Sequence, residues 1–268
     1  MLMLANYHVH STFCDGKQTP EEIVRAAVDR GFSAIGFSSH GHTPFDLRYC
    51  MKDTAGYLRE IRRLKDAYRS KIQIYVGLEE DAHALADRTQ FEYLIGSSHY
   101  TVKNGHHYPI DSDYTYFKAC LRAWDYDVLA FSEEYYSCFC DYIVKRRPDI
   151  IGHFDVVTKF DELDASLFLE NAAYRALAER YAKVALKSGS LFEVNTGVIF
   201  RQLRRRPHPS EHLLHTICRH DGRVILSSDC HTVESLDFHF DETRHYLRDI
   251  GFREVYILFD DRFIAQSI

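Results

Sequence analysis

Val224-Ile225-Leu226-Ser227-Ser228-Asp229-Cys230-His231 is a short aliphatic run that stops abruptly on an aspartate and a histidine. Six other segments of the 268-residue chain share the design: Tyr7-His8-Val9-His10, Ile35-Gly36-Phe37-Ser38-Ser39-His40, Ile74-Tyr75-Val76-Gly77-Leu78-Glu79, Leu94-Ile95-Gly96-Ser97-Ser98-His99, Ile150-Ile151-Gly152-His153 and Leu191-Phe192-Glu193-Val194-Asn195. Short apolar runs rich in Ile and Val are the pattern of buried strands. A strand that ends in a metal-binding side chain sets that group at the rim of a sheet. A β/α barrel gathers the C-terminal ends of its strands around one point. Six of the seven segments end by offering His, Asp or Glu, so the pattern predicts an α/β barrel with a metal site at that rim.

The segments between the strands carry helical punctuation. Thr19-Pro20-Glu21-Glu22 opens a helix, with Thr19 as N-cap, Pro20 in the first turn and Glu22 completing a capping box. Ile23, Ala26, Ala27 and Arg30 follow at helical spacing, and Gly31 ends the run. Asp53 to Tyr68 repeats the scheme, with Leu58, Ile61 and Leu64 on one side; Leu167 to Leu186 and His212 to His220 each precede a strand. Such alternation predicts parallel pairing through right-handed crossovers. Asp111 to Arg147 is longer and aromatic and reads as a helical insertion between two strands, its aromatics chiefly packing. An eighth apolar run, Val255 to Phe259, offers only Asp260 and Asp261, and either closes the barrel or pairs at its edge. No repeat, low-complexity tract or linker marks a second unit, so residues 1–268 read as one domain.

Hydrophobic residues make up 46% and charged residues 27%, the mix of a globular chain with a sizeable core. The net charge of −6 provides no sequence-wide basic field for nucleic acid. Seven cysteines, an odd number without disulfide-framework spacing, predict a reducing, cytoplasmic setting. Only seven residues precede His8, too few for a signal peptide, and no run approaches a membrane span.

Both His8-Val9-His10 and Asp229-Cys230-His231 place two donors at i and i+2, on one face of a strand. Imidazole with carboxylate suits Zn²⁺, Fe²⁺ or Mn²⁺. His8, His10, Asp15, His40, Glu79, His99, His153, Asp229 and His231 are nine candidates. One ion uses about four or five donors, so the count favours two or three ions with a bridging carboxylate. Glu79 is the natural bridge, having an oxygen for each of two metals. Asp15 has a competing role, capping the turn at Gly16. Glu80 should face away from Glu79, as a surface group or one behind the ligands. His106 and His107, in the loop Lys103 to His107, read as solvated, and Cys138 and Cys140 as core of the helical insertion.

His8-Val9-His10-Ser11 with Asp15-Gly16, then Ser39-His40-Gly41, Gly77-Leu78-Glu79, Ser98-His99, Gly152-His153 and Ser228-Asp229-Cys230-His231, resembles the polymerase-and-histidinol-phosphatase (PHP) superfamily. The resemblance runs in order across nearly the whole chain. Chain size and Gly152-His153-Phe154-Asp155 make it similar to the histidinol-phosphate phosphatase branch. It implies a distorted, seven-stranded, TIM-like (β/α)7 barrel and a metal-dependent phosphomonoesterase with two or three ions. By the resemblance, one metal takes His8, His10, Glu79 and Asp229, a second Glu79, His99 and His153, and a third Asp15, His40 and His231. The implied substrate is a small-molecule phosphate ester, L-histidinol phosphate of histidine biosynthesis. Hydroxide between two metals would attack phosphorus, with Asp229 or His231 passing a proton to the leaving alkoxide.

The phosphate end needs cations beyond the metals. Lys159, six residues after His153, is one candidate. Arg201 is another, although Gly197-Val198-Ile199-Phe200 separates it from Asn195-Thr196 more widely than the family pattern does. Arg204 to Arg206 read either as phosphate-binding or as a solvated basic loop. Rival readings are the same barrel acting on nucleotides or nucleic-acid ends, an amidohydrolase cleaving C–N bonds, and a non-catalytic metal-stabilised module. Glu79 stands where amidohydrolases commonly use a carbamylated lysine, which speaks against the second.

Overall fold

The computed structural model describes residues 2–163 and 167–268. Seven parallel strands form the barrel: β1 (Ala5–Asn6), β2 (Ala34–Phe37), β3 (Gln73–Asp81), β4 (Tyr93–Ser97), then, after an outlying hairpin β5 (Tyr100–Lys103) and β6 (His106–Pro109), β7 (Ile150–Ile151), β8 (Leu191–Asn195) and β9 (Val224–Ser227). The ring closes at the C-terminal rim, where Val9 bridges Cys230 and the His10 N–H donates to the Cys230 carbonyl at 2.8 Å.

The eighth run is β10 (Glu254–Phe259). It pairs parallel to β9 through Tyr256 and Ile225, and antiparallel to β11 (Arg262–Ser267). It therefore extends the sheet past β9, with β11 as the edge strand, and the Tyr7 hydroxyl donates to the Leu258 carbonyl at 2.6 Å. This hairpin beside an otherwise direct β1–β9 closure is the distortion of the barrel.

Helices cover the outside. Helix α1 (Pro20–Asp29) starts with the anticipated capping box: the Thr19 N–H donates to Glu22 at 2.8 Å. Helix α2 (Thr54–Tyr68) is capped by Asp53, and buries Leu58, Ile61 and Leu64 against β2 and β3. The insertion consists of α3 (Tyr114–Ala123) and α4 (Val128–Arg146), whose Phe117, Trp124, Phe131, Tyr135 and Tyr136 are buried as packing residues. Helix α5 (Ala172–Ala185) begins later than Leu167 because Asn171 caps it, its side chain accepting from Ala173 N–H. The single turn α6 (Gly197–Phe200), α7 (Glu211–Arg219) and α8 (Phe240–Ile250) complete the layer. No helix among the described residues is long and apolar enough to cross a membrane.

Inside the ring, Tyr7, Tyr75 and Tyr93 fill the lower barrel with Ile95, Ile150, Leu191 and Ile225. A Cβ on Gly77 would stand 2.1 Å from the Tyr93 ring, so glycine there makes room for the tyrosine. With the lower barrel filled by aromatic rings, the polar strand ends are confined to the upper rim.

Candidate metal centre

All nine candidates converge at that rim. Strand alternation turns His8 and His10 inward together, and β3 delivers Glu79 between them and the neighbouring strand ends. Glu79 Oε2 lies 3.2 Å from His8 Nε2, 3.4 Å from His10 Nε2 and 2.8 Å from His40 Nδ1. Its Oε1 lies 3.0 Å from His153 Nε2 and 3.2 Å from His99 Nε2. Asp229 Oδ1 sits 3.1 Å from His10 Nε2, and Asp15 Oδ1 3.3 Å from His231 Nε2. Asp15 thus joins the cluster beyond any role in its turn.

The donor atoms fall into four overlapping sets, each compact enough for an ion: His10-Asp15-His40-His231, His8-Glu79-His153, His8-His10-Asp229 and His40-Glu79-His99. The trio Asp15, His40 and His231 appears together, joined by His10. His99 and His153 fall in separate sets while sharing one oxygen of Glu79. The donors also pass a test of their surroundings. His8 Nε2, His10 Nε2, Glu79 Oε2 and Asp15 Oδ1 are buried without a hydrogen-bond partner. Such atoms are costly to leave bare, and divalent cations held by these overlapping sets would satisfy them.

Charge on the cluster suits a cation. Burial opposes ionisation of Glu79, but His8, His40 and His99 outweigh it and hold the carboxyl well below its usual range. Asp229 is likewise held low against burial by Arg201 and His8. Burial, with His231 and His40 nearby, lowers His10 to about 3, keeping a neutral imidazole. His8, His40 and His99 go the other way: burial disfavours their protons, yet Glu193 and Glu79 hold His8 well above the ordinary value, Glu79 and Asp111 do the same for His99, and Glu79 and Asp15 raise His40.

Glu193 is the residue the sequence reading passed over. Its carboxylate accepts from His8 Nδ1 at 2.5 Å, from the His153 N–H at 2.6 Å and from Asn195 Nδ2 at 3.1 Å, besides the Ser227 hydroxyl. A proton fixed on Nδ1 leaves the His8 Nε2 lone pair pointing at the cluster. Asp81 does the same for His99, 3.1 Å from its Nδ1. Glu193 lies two residues before Asn195, on the same strand face, and that alternation was the available signal.

Glu80 faces away from the cluster, as its position in β3 requires, but it is not at the surface. It is buried against α4, where Arg146 Nε and Nη2 each donate to it at 2.7 Å and the Tyr142 hydroxyl at 2.8 Å. His106 is exposed as expected, while His107 is half-buried and stacks on Phe45; both lie in the β5–β6 hairpin, which Asn104 and Gly105 turn with φ of 53° and 75°. Cys140 is buried, whereas Cys138 is half-buried.

A cavity of about 810 Å³ opens above the cluster. Arg201 and Lys159 both line it. The four residues that separate Arg201 from Thr196 form α6, and this turn brings Arg201 Nη2 back to 3.1 Å from Asp229 Oδ2. Lys159 Nζ donates to the Asp111 carbonyl at 2.5 Å and lies 3.6 Å from Asp111 Oδ2. The arginine run is not a single basic surface. Arg204 is buried and donates to Thr158 Oγ1 at 2.8 Å, Arg205 pairs with Glu162, and Arg206 lies over the Tyr246 ring. The same cavity is also lined by Asp46, Tyr49, Asp111 and Asp113.

A β/α barrel whose C-terminal rim is equipped with histidines and carboxylates to hold divalent metal is the class that fold and site define. Within it, the chain belongs to the PHP domain family, which matches residues 6–197. It is similar to the "Probable histidinol-phosphatase" of Schizosaccharomyces pombe, 26% identical and covering 91% of this chain and 86% of the relative. The histidinol-phosphatase of Bacillus subtilis is 25% identical, over 87% of this chain and 96% of its own. The fold matches the crystal structure of histidinol phosphate phosphatase from Lactococcus lactis, complexed with zinc, L-histidinol and phosphate, with a TM-score of 0.72, 20% identity, and coverage of 98% and 100%.

Proposed function

We propose that the chain is a metal-dependent phosphomonoesterase that hydrolyses L-histidinol phosphate to L-histidinol and phosphate, a step of histidine biosynthesis. The observation that carries the reading is the juxtaposition, in one cavity, of the nine-donor cluster with two cations outside it, Arg201 and Lys159. Relatives named histidinol-phosphatase over most of their length support the substrate. His8, His10, Glu79 and Asp229, Glu79 with His99 and His153, and Asp15 with His40 and His231 would hold two or three ions of zinc, iron or manganese. Bound there, such ions supply Lewis acidity toward phosphoryl oxygens and lower the pKa of water to roughly 7.

The chain's own groups do the rest. Arg201 and Lys159 bind and orient the phosphate and take up charge developing on its oxygens. Asp229 or His231, at the Arg201 edge of the cavity, passes a proton to the leaving oxygen. Asp46, Asp111 and Asp113 provide an acidic wall for the ammonium of the leaving alcohol. The test is a turnover screen of Mn²⁺- or Zn²⁺-loaded protein against histidinol phosphate, nucleotides and sugar phosphates. The account expects kcat/KM for histidinol phosphate to exceed the others by orders of magnitude, because contacts to the alcohol orient the ester. A flat profile, or a preference for nucleotides, rejects the substrate assignment.

A further inference from the structure

His208 stands outside the metal cluster, and nothing in the chemistry above uses it. The residue is 2% exposed yet lines the cavity. Its backbone is fastened to the end of β8: the Asn195 N–H donates to the His208 carbonyl at 2.8 Å, and the His208 N–H to the Asn195 carbonyl at 3.1 Å. The ring therefore hangs from a barrel strand and not from a free loop.

Its protonation follows from its neighbours. Nδ1 lies 2.7 Å from Asp155 Oδ1 and 2.9 Å from Arg204 Nη1. A carboxylate can only accept, while Arg204 Nη1 has another acceptor in Thr158 Oγ1 at 2.8 Å, so the Nδ1 hydrogen goes to Asp155. Asp155 is itself held in place, accepting from the Ser210 N–H at 2.9 Å and from the Ser210 hydroxyl. Nε2 is then a bare acceptor, and it is buried without a hydrogen-bond partner. Burial, followed by the Arg204 guanidinium, lowers the imidazole to about 4, so no second proton occupies Nε2 near neutrality.

A buried acceptor left unsatisfied is unfavourable, and a ligand that donates to it gains accordingly. The dianion of a phosphate monoester carries only acceptors, and Arg201 and Lys159 already provide for it. In the substrate class reached above, the donors are the imidazole N–H and the ammonium of the leaving alcohol. We propose that His208 Nε2 accepts a hydrogen bond from a nitrogen-bound hydrogen of that alcohol, which makes His208 a specificity-determining residue held in its tautomer by Asp155. This assignment rests on the histidinol-phosphate reading.

The experiment is calorimetric binding of L-histidinol and, separately, inorganic phosphate to metal-loaded wild type, His208→Phe and His208→Gln. His208→Phe should weaken L-histidinol about tenfold to a hundredfold, as expected for one lost hydrogen bond to a neutral or charged donor, with phosphate within about twofold. His208→Gln, which returns an acceptor, should recover part of the loss. Turnover of phenyl phosphate, which has no N–H, should fall far less than that of histidinol phosphate in both variants. Equal weakening of L-histidinol and phosphate, or no weakening of L-histidinol, overturns the assignment. If the variants do not fold, ¹⁵N chemical shifts of the histidine side chains in wild type decide: the His208 Nε2 signal should move with L-histidinol and not with phosphate, and a stationary signal overturns it. A wild type that hydrolyses other monoesters but neither binds L-histidinol nor hydrolyses its phosphate sinks the functional reading instead. A wild type selective for histidinol phosphate alongside an indifferent His208→Phe leaves that reading intact and removes His208 from it.

Discussion

Replacing Glu193 with glutamine removes one charge and one acceptor from the group that aims His8, and the consequence can be worked out atom by atom. Oε1 receives His8 Nδ1 and the Ser227 hydroxyl, while Oε2 receives the His153 N–H and Asn195 Nδ2. An amide offers one oxygen and one NH₂. If the NH₂ faces His153 and Asn195, two donors point at a donor inside a buried site. At about 1.5–3 kcal/mol for each hydrogen bond to a charged group, the folded state loses at least about 3 kcal/mol. If it faces His8, the imidazole must move its proton to Nε2, the atom needed for metal. Either arrangement should weaken metal binding about 10- to 100-fold, the usual cost of losing a partner that orients a ligand. Zn²⁺ competition against a chelator reads the affinity, and thermal unfolding of metal-free protein reads the stability. Metal affinity within about twofold of wild type would refute the reasoning.

Glu80→Gln should behave in the opposite way. It leaves Arg146 half-paired and should cost about 3 kcal/mol, at the low end for a broken buried pair because Arg146 reaches solvent, with metal content retained on elemental analysis. Lys159→Met should lower kcat/KM for phosphate esters about 10²- to 10³-fold with metal content unchanged, since Lys159 contacts Asp111 and none of the nine donors. Arg201→Met should lose kcat/KM as well, and some metal in addition, because Arg201 touches Asp229 and His231. Metal uptake should release protons near neutral pH. In the metal-free cluster Glu193 and Glu79 hold His8 protonated against burial, so affinity should fall as pH falls, while His10, lowered to about 3, contributes none. Calorimetry in buffers of different ionisation enthalpy measures the release, and zero protons at pH 7 would contradict the charge state assigned to His8.

What was legible in the sequence was local. Each barrel strand announces itself because its apolar run and its terminal donor lie within a few residues, as in Tyr7 to His10. The Thr19–Glu22 box marks α1 for the same reason. Turn chemistry carried information that the strand patterns obscured. Asn104-Gly105 is a strong two-residue hairpin signal, but the flanking His106 and His107 look like solvated loop residues. Asp260-Asp261 turns β10 into β11 with φ of 49° and 58°, a conformation aspartate tolerates and a composition that reads only as acidic. Arg204 and Glu80 were misjudged because charge suggests solvent unless the partner is known, and Asp155, Thr158 and Arg146 are distant in sequence. Glu193 shows the same limit: its four donors come from beyond the β1 end, beyond the β7 end, β8 itself and β9.

The central claim is that the rim built around Glu79 is a divalent-metal centre serving phosphate-ester hydrolysis. Anomalous diffraction at the metal edge, from crystals of protein loaded to full activity on histidinol phosphate, tests it most directly. The account predicts two or three peaks within coordination distance of the nine donors, at least two of them sharing the Glu79 carboxylate. Full activity with peaks elsewhere, or with none at Glu79, would contradict it.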